Sequence, residues 1–380
     1  MNEAVSNVVV TGLGLLSPLG ASADEVLSRI AAGEAAAARP TSFDASPFAC
    51  PVCAEVGDFR PEAYVGESKT LRLMNRDAQL AVAAARLAVR DANLRIGEDY
   101  PSHEVALFGA TGMASMPADQ IARLVRCAAA PDGGLDLRRF GAVALKRVRP
   151  VLSFKILSNM PVCFVSIFER IGGQNAVYTP WQGQGAQAIA AGIRAIRDGD
   201  ARCALVGGCD VKTNEFAFLA LQQQGVFRSW LRDGTGPVPG EGAAFLVLED
   251  ERAARARGAR MYARCGAFGA ASTLAGGDMT QTFSRVLSGL SARPLGSVVA
   301  ADDADTARRA AEREALAAIG ADGERALRPK RHVGDLFAAS AAVQVALAAE
   351  LARRSETQGR VLADCFGHGS EQAAFVLEPV

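Results

Sequence analysis

Short apolar runs of strand type alternate with longer helical stretches along the whole chain, and this alternation narrows the fold more than any other feature. Asn7-Val-Val-Val-Thr11 reads as a short buried strand ended by Gly12-Leu-Gly14. Helical spacing follows at 23–32 and 76–92, and a strand returns at 105–110. An extended run, 175–179, leads into an Ala/Ile/Gly helix from Gly183 to about Asp198. Later strands are expected at 204–208, 244–248, 297–301, 361–363 and 373–377. Helices are expected between them, near 214–223, 280–290, 306–319 and 336–352. Alternation of this kind predicts an α/β fold with largely parallel, helix-covered sheets. The 380 residues supply ample core, and a midpoint near 195–203 suggests two similar halves, 1–198 and 199–380.

Composition excludes several functions. Lys plus Arg and Asp plus Glu both total 41, so no net field recruits nucleic acid or an anionic membrane surface. No apolar run is long enough for a membrane span, and the N-terminus lacks a basic region followed by an apolar core. The eight Cys are scattered, which suits reduced thiols in a cytoplasmic protein. Cys50-Pro-Val-Cys53 has metal-ligand spacing, but no second pair or nearby His completes a tetrahedron, so no metal is expected. Cys163, in an apolar helical stretch, reads as core filler. The three His (103, 332 and 368) form no recognisable acid–base pair.

The stretch Thr179-Pro-Trp-Gln-Gly-Gln-Gly-Ala-Gln187 is a strand-to-helix turn. The positive end of a helix dipole at such a turn can hold a thiolate or an oxyanion. The residue placed there is Gln182, a neutral amide that neither attacks a carbonyl nor titrates. The setting for acyl chemistry is present without its reactive atom.

Several stretches, in order, resemble the β-ketoacyl-acyl-carrier-protein synthases, the condensing enzymes of the thiolase fold. They are Val8 to Gly20, Lys69 to Leu94 with Asn75 where that family usually has Asp, Gly199 to Gly208, and Gly240 to Glu249 with Ala254 to Ala263. The resemblance runs from about residue 7 to 379 and implies two similar halves in a layered α-β-α-β-α arrangement. Residue by residue, the family's catalytic equipment is absent. Its cysteine turn corresponds to Pro180-Trp-Gln-Gly-Gln-Gly185, which puts Gln182 at the cysteine. Its first histidine corresponds to Asp302 in Ala301-Asp-Asp-Ala-Asp-Thr306, and its second to Asp335 in Lys330-Arg-His-Val-Gly-Asp335. Lys330 itself is retained, and His368 lies in the counterpart of the C-terminal gating loop, Phe366-Gly-His-Gly-Ser-Glu-Gln372. The stretch between Asp335 and that loop is shorter than the family pattern, which implies a missing peripheral hairpin.

Condensation needs a thiolate to carry the acyl group and donors to stabilise enolate or oxyanion charge. Gln182 forms no thioester, and ionised aspartates accept hydrogen bonds without donating them, so Asp302 and Asp335 do not replace imidazoles. Their charges are also expected to repel a malonyl carboxylate. The acidic run Asp302, Asp303 and Asp305 is read as capping the following helix in preference to binding a cation. Gln182 and Gln184 either bind a substrate amide or satisfy buried backbone groups. Trp181 either plugs the acyl space or anchors a partner. The basic stretch Arg138, Arg139, Lys146, Arg147 and Arg149 is either a docking site for an acidic carrier protein or a solvated face.

A synthase-like chain with Gln for the cysteine resembles the chain-length factors of type II polyketide and polyene systems. That resemblance implies no condensing activity alone, a heterodimer with an active ketosynthase homologue, and an acyl tunnel shaped at the interface. Met113 and Met116 are the expected length-limiting residues, with Trp181 and His368 beside the tunnel. No cofactor is expected on this chain; a carrier protein's phosphopantetheine arm would enter through the partner. The rival readings are a malonyl-carrier decarboxylase and, from Val10-Thr-Gly12-Leu-Gly14, a dinucleotide-binding oxidoreductase, for which Ser17-Pro18 is poor helix-opening chemistry.

Overall fold

Nine strands form a single mixed sheet in the computed structural model, which describes residues 6–66, 69–113, 118–148, 151–273, 277–290, 293–302, 305–354 and 359–380. They are β1 (Val8–Leu16), β2 (Val105–Thr111), β3 (Asn175–Tyr178), β4 (Cys203–Val211), β5 (Glu241–Asp250), β6 (Ala263–Ser272), β7 (Leu295–Val299), β8 (Arg360–Asp364) and β9 (Glu371–Glu378). Their order across the sheet is β3-β2-β4-β5-β1-β6-β9-β8-β7. The longer helices are α1 (Ala23–Ala31), α2 (Arg76–Asp91), α3 (Ala118–Cys127), α4 (Met160–Glu169), α5 (Gln182–Arg197), α6 (Glu215–Gln223), α7 (Met279–Leu287), α8 (Thr306–Ala318) and α9 (Ser340–Arg353).

Strand residues alternate between two apolar faces, which is why the strands read as nearly continuous hydrophobic runs. On β2, Ala106, Phe108 and Ala110 join an inner core with Ile189 and Ile193 of α5 and Val343 and Leu347 of α9. Val105 and Leu107 point the other way, into a core with Leu80 and Ala84 of α2 and Phe164 of α4. On β9, Phe375 joins the inner core while Val376 packs outward with Phe283 of α7 and Leu316 of α8. The layers are therefore α2/α4, the β1–β5 part of the sheet, α5/α9, the β6–β9 part, and α7/α8. This is the expected thiolase-type α-β-α-β-α arrangement, with the inner helix pair between the two parts.

Three sequence expectations need correction. The sheet is not largely parallel: β2–β3, β2–β4 and β7–β8 are parallel, whereas β1–β5, β1–β6, β4–β5, β6–β9 and β8–β9 are antiparallel. Parallel neighbours need a crossover: α3 and α4 lie between β2 and β3, and α8 and α9 between β7 and β8, while β8 and β9 turn back through a short loop. The strands do not group at 198/199, because β4 and β5 pair beside β2 and β1; the change from one part of the sheet to the other falls between β5 and β6. Finally, β1 does not end at Gly12-Leu-Gly14 but continues to Leu16. Those glycines let the strand lie against α2: a Cβ at Gly12 would meet the Ala88 carbonyl oxygen at 2.3 Å, and one at Gly14 the Ala84 oxygen at 1.9 Å. A run inside a strand is no phosphate-cradling turn, which removes the basis of the dinucleotide reading.

Candidate functional site

The inner helix α5 starts at Gln182, with Trp181 as an extended N-cap residue. Trp has no acceptor to cap the helix, so Gln184 reaches back and accepts the Trp181 N–H at 3.1 Å while its amide donates to Glu371 at 2.8 Å. Gln182 is 2% exposed and donates through Nε2 to Gln344 Oε1 at 2.5 Å; Gln344 in turn donates to the Asp364 carbonyl at 2.9 Å. The Gln182 Oε1 is buried and accepts no hydrogen bond from the described residues. Gly367 backs it so closely that a Cβ there would lie 2.6 Å from this oxygen. The N-terminus of α5 is thus held by an immobilised neutral amide.

Over it lies an aromatic cluster. The Trp181 ring is 5.9 Å from Phe337 and 6.2 Å from His368, and Phe337 stacks on His368 at 5.9 Å. Phe337 is fully buried, and Trp181 packs at the edge of a core with Phe218 and Phe227. Trp181 packs beside the start of α5, and His368 is part of the same packing.

Asp335 is buried on the far side of Phe337. Its Oδ1 accepts the Phe337 N–H at 2.8 Å and the Ser340 hydroxyl at 3.0 Å, and its Oδ2 lies 3.2 Å from Lys330 Nζ. Burial alone would raise this carboxyl, but the Lys330 charge, His368 and the Phe337 N–H hold it below its ordinary value. Lys330 therefore neutralises the buried aspartate. Behind Lys330, burial pushes Glu312 up, and burial beside Glu312 pushes Asp364 well up.

Asp302 has a different role from the one expected. The cap of α8 is Asp305, which accepts the N–H groups of Ala307 and Arg308 at 3.0 Å each. Asp303 lies outside the described residues. Asp302, 2% exposed, is enclosed by three guanidiniums: Arg331 on both oxygens, Arg309 Nε 3.2 Å from Oδ1 and Arg328 Nε 3.3 Å from Oδ1. Its charge is more than compensated, so repulsion of an approaching carboxylate is not the result here. Among the described residues, no group of His, Cys, Asp and Glu could hold a metal ion.

The arginine cage was not anticipated from sequence, nor was the Gln344 partner of Gln182. The signal for the cage lies in Arg308-Arg309 and Arg328-Pro-Lys-Arg331, two basic runs that follow the acidic one, but only the fold converges them. Asp302, Asp335, Lys330, Arg309 and Arg331 share one cleft of about 200 Å³. Met113 lies just beyond β2, 54% exposed, and Met116 lies outside the described residues. Cys50 and Cys53 are both buried, with thiols pushed up to about 11 and about 12 by burial. Cys163 is only half-buried on α4, since its neighbours Val162, Phe164 and Val165 take the inward face; core filler is a correct description of them and not of it. His103 is exposed in a turn, and His332 Nδ1 lies 2.6 Å from the Glu34 carbonyl. Arg139 and Arg147 line a groove with α3 of about 810 Å³.

A model of the beta-ketoacyl synthase N-terminal domain matches residues 5–254. The 3-oxoacyl-[acyl-carrier-protein] synthase 2 of Coxiella burnetii is 30% identical over 277 residues, covering 69% of this chain and 62% of that protein. The matched part thus spans less than two thirds of that relative's length. Two solved structures are similar over 99% of this chain and 100% of theirs: the ishigamide ketosynthase/chain length factor, at TM-score 0.80 and 21% identity, and a type II PKS acyl-carrier protein in complex with its ketosynthase, at 0.79 and 15%. At these identities the two structures establish the shared fold.

Proposed function

The chain belongs to the β-ketoacyl synthase family, and we propose that within it this chain is a chain-length factor, inactive in condensation by itself, that pairs with an active ketosynthase. The observation that carries this reading is Gln182: buried at the α5 N-terminus, hydrogen-bonded to Gln344 and backed by Gly367, it leaves the acyl-carrying position without a nucleophile. The salt-bridged aspartates at the two histidine positions support it further, because neither has a proton to give a thioester oxygen. The partner performs condensation on acyl groups delivered by an acyl carrier protein's phosphopantetheine arm, and this chain walls the acyl tunnel in type II polyketide, specifically polyene or aryl polyene, synthesis. Met113, with Met116 beside it in sequence, limits product length.

Reconstitution with a ketosynthase and an acyl carrier protein tests the reading. The expected result is product from the pair, no acyl adduct on this chain by intact-mass analysis, and a shift to longer products with Met113→Ala and Met116→Ala. A covalent acyl adduct on the purified subunit would overturn it, and an unchanged product distribution would remove the methionines from the tunnel. Carbon dioxide release from malonyl-carrier protein by the isolated chain would instead favour the decarboxylase reading.

A further inference from the structure

We propose that the groove between α3 and residues 139–152 is a binding site for an amphipathic carboxylate, an apolar chain that ends in an acid group. The helical spacing of its walls is the first observation. On α3, Gln120, Arg123, Leu124 and Cys127 recur at i, i+3, i+4 and i+7, so they share one face, with Arg126 beside it. The facing wall carries Arg139, Val143 and Arg147 at intervals of four, and Val148 and Leu152 complete the lining. Each wall therefore alternates guanidinium and apolar side chains along its length. The space between them is about 810 Å³, within the roughly 300–1,000 Å³ of small-molecule sites.

The charge around the groove is unbalanced. No acid is among the described residues that line it. From 118 to 152 the sequence carries seven basic residues against three acids, Asp119, Asp132 and Asp136, so positive charge is in excess with every acid ionised. Asp136 is engaged as a cap, accepting the N–H groups of Arg138 and Arg139 at 2.9 and 3.0 Å, and Asp132 accepts the Gly134 N–H at 3.0 Å. Two of the groove arginines hold only neutral acceptors among the described residues. Arg147 Nη1 donates from one wall to the other, to Cys127 Sγ at 3.0 Å, and Arg139 Nη1 donates to the Ala129 carbonyl at 3.3 Å. A thiol is a poor acceptor for a charged donor, whereas a carboxylate takes a charge-assisted pair. An inorganic anion would meet the guanidiniums and leave Leu124, Val143 and Val148 in water; a neutral chain would do the reverse. A ligand with both parts satisfies both walls. The groove belongs to this chain alone, so the site does not depend on pairing with a ketosynthase.

The test is calorimetric titration of the isolated full-length chain at low ionic strength with sodium decanoate below its micelle concentration. Sodium acetate supplies the charge without the chain, and a neutral decyl glycoside the chain without the charge. Decanoate is expected to bind saturably, and each comparator at least about tenfold more weakly. Arg139→Gln with Arg147→Gln, both at exposed positions, lowers decanoate affinity about tenfold. Val143→Asp, which sets a carboxylate against both parts of the ligand, lowers it as far. Occupancy is also read at Cys127. Decanoate slows its alkylation by iodoacetamide, measured by peptide mass analysis, and leaves that of Cys163, half-buried on α4 outside the groove, unchanged. That arm uses the wild-type chain, so it decides even where a variant does not fold. No saturable heat, equal affinity for the neutral glycoside, an unaffected double variant, or equal protection of both thiols overturns the proposal. Saturable binding of an acyl carrier protein that the same double variant loses, with no heat from decanoate, overturns it in favour of a protein occupant.

Discussion

Asp77 carries the clearest single-residue consequence. It is buried at the start of α2, hydrogen-bonded by Asn75 at 3.1 Å, and its carboxyl is pushed up to about 7 by burial and by the Asp210 charge, against the opposing pull of Lys212. In the unfolded chain the group ionises near its ordinary 3.8, so between that value and about 7 the folded state binds more protons. Stability therefore falls as pH rises through this window and levels off above it. Asp77→Asn removes the slope, and at pH 8 it should stabilise the chain by roughly 2–4 kcal/mol while being near neutral at pH 4, read from denaturant midpoints. A pH-independent difference between the two proteins would contradict the assignment. The proposed loss of the catalytic groups yields a second prediction: Gln182→Cys leaves condensation at background, because aspartates and not imidazoles still stand at the two positions matched to the family's histidines. A radiolabelled extension assay showing turnover by this variant would refute that. Gln182, Asp302 and Asp335 stand out in sequence because each lies inside a motif, and the structure buries all three. The cage on Asp302 is not legible, because Arg309 and Arg331 are separated by a helix and a loop that only packing brings together.

At the scale of elements, legibility follows side-chain chemistry. The runs that became β4, β5 and β8 are recognisable because Val and Leu dominate them. β6 was not expected as a strand: Ala-Arg-Cys-Gly-Ala-Phe-Gly-Ala-Ala-Ser has no β-branched residue and two glycines. It is a strand because β1 and β9 pair with it from either side and α7 lies across it so closely that a Cβ at Gly269 would meet the Val286 carbonyl oxygen at 2.0 Å. The same closeness gives β1 its glycines. Gly14→Ala places a methyl 1.9 Å from the Ala84 oxygen of α2, where only backbone movement can relieve it. The expected cost is about 2–4 kcal/mol, since a helix in a packed layer shifts only by disturbing its other contacts. Gly57→Ala, with nothing within 4 Å, is the control and should stay within about 0.5 kcal/mol. Equal unfolding midpoints for the two variants would mean that α2 yields freely and that the glycines are not needed for the approach.

For the whole molecule, the distribution of exposed apolar side chains bears on the proposed pairing. Ten of the thirteen large hydrophobic residues exposed among the described residues fall between 113 and 167, among them Met113, Leu137, Leu145, Phe154 and Ile167. Singly exposed apolar residues are ordinary, whereas a contiguous exposed patch marks an interaction surface, so their concentration in one segment is what the proposed pairing would require. The same segment leads into β3, an edge strand of the sheet, whose outer side has no strand partner among the described residues. Under the proposed reading, in which this chain's own centre holds no acyl group, its role is exercised through such a surface, so the two observations bear on one proposal. Leu137 and Ile167, 73% and 64% exposed, add little to the isolated fold. Leu137→Asp and Ile167→Asp should therefore leave its unfolding midpoint nearly unchanged, within about 0.5 kcal/mol. A charge placed in a desolvated interface is costly, so the double variant should weaken association with a co-expressed ketosynthase at least about tenfold. Analytical ultracentrifugation of the purified pair measures this directly. Undiminished association would place the partner on another face, and the exposed residues of this segment would then need a different explanation.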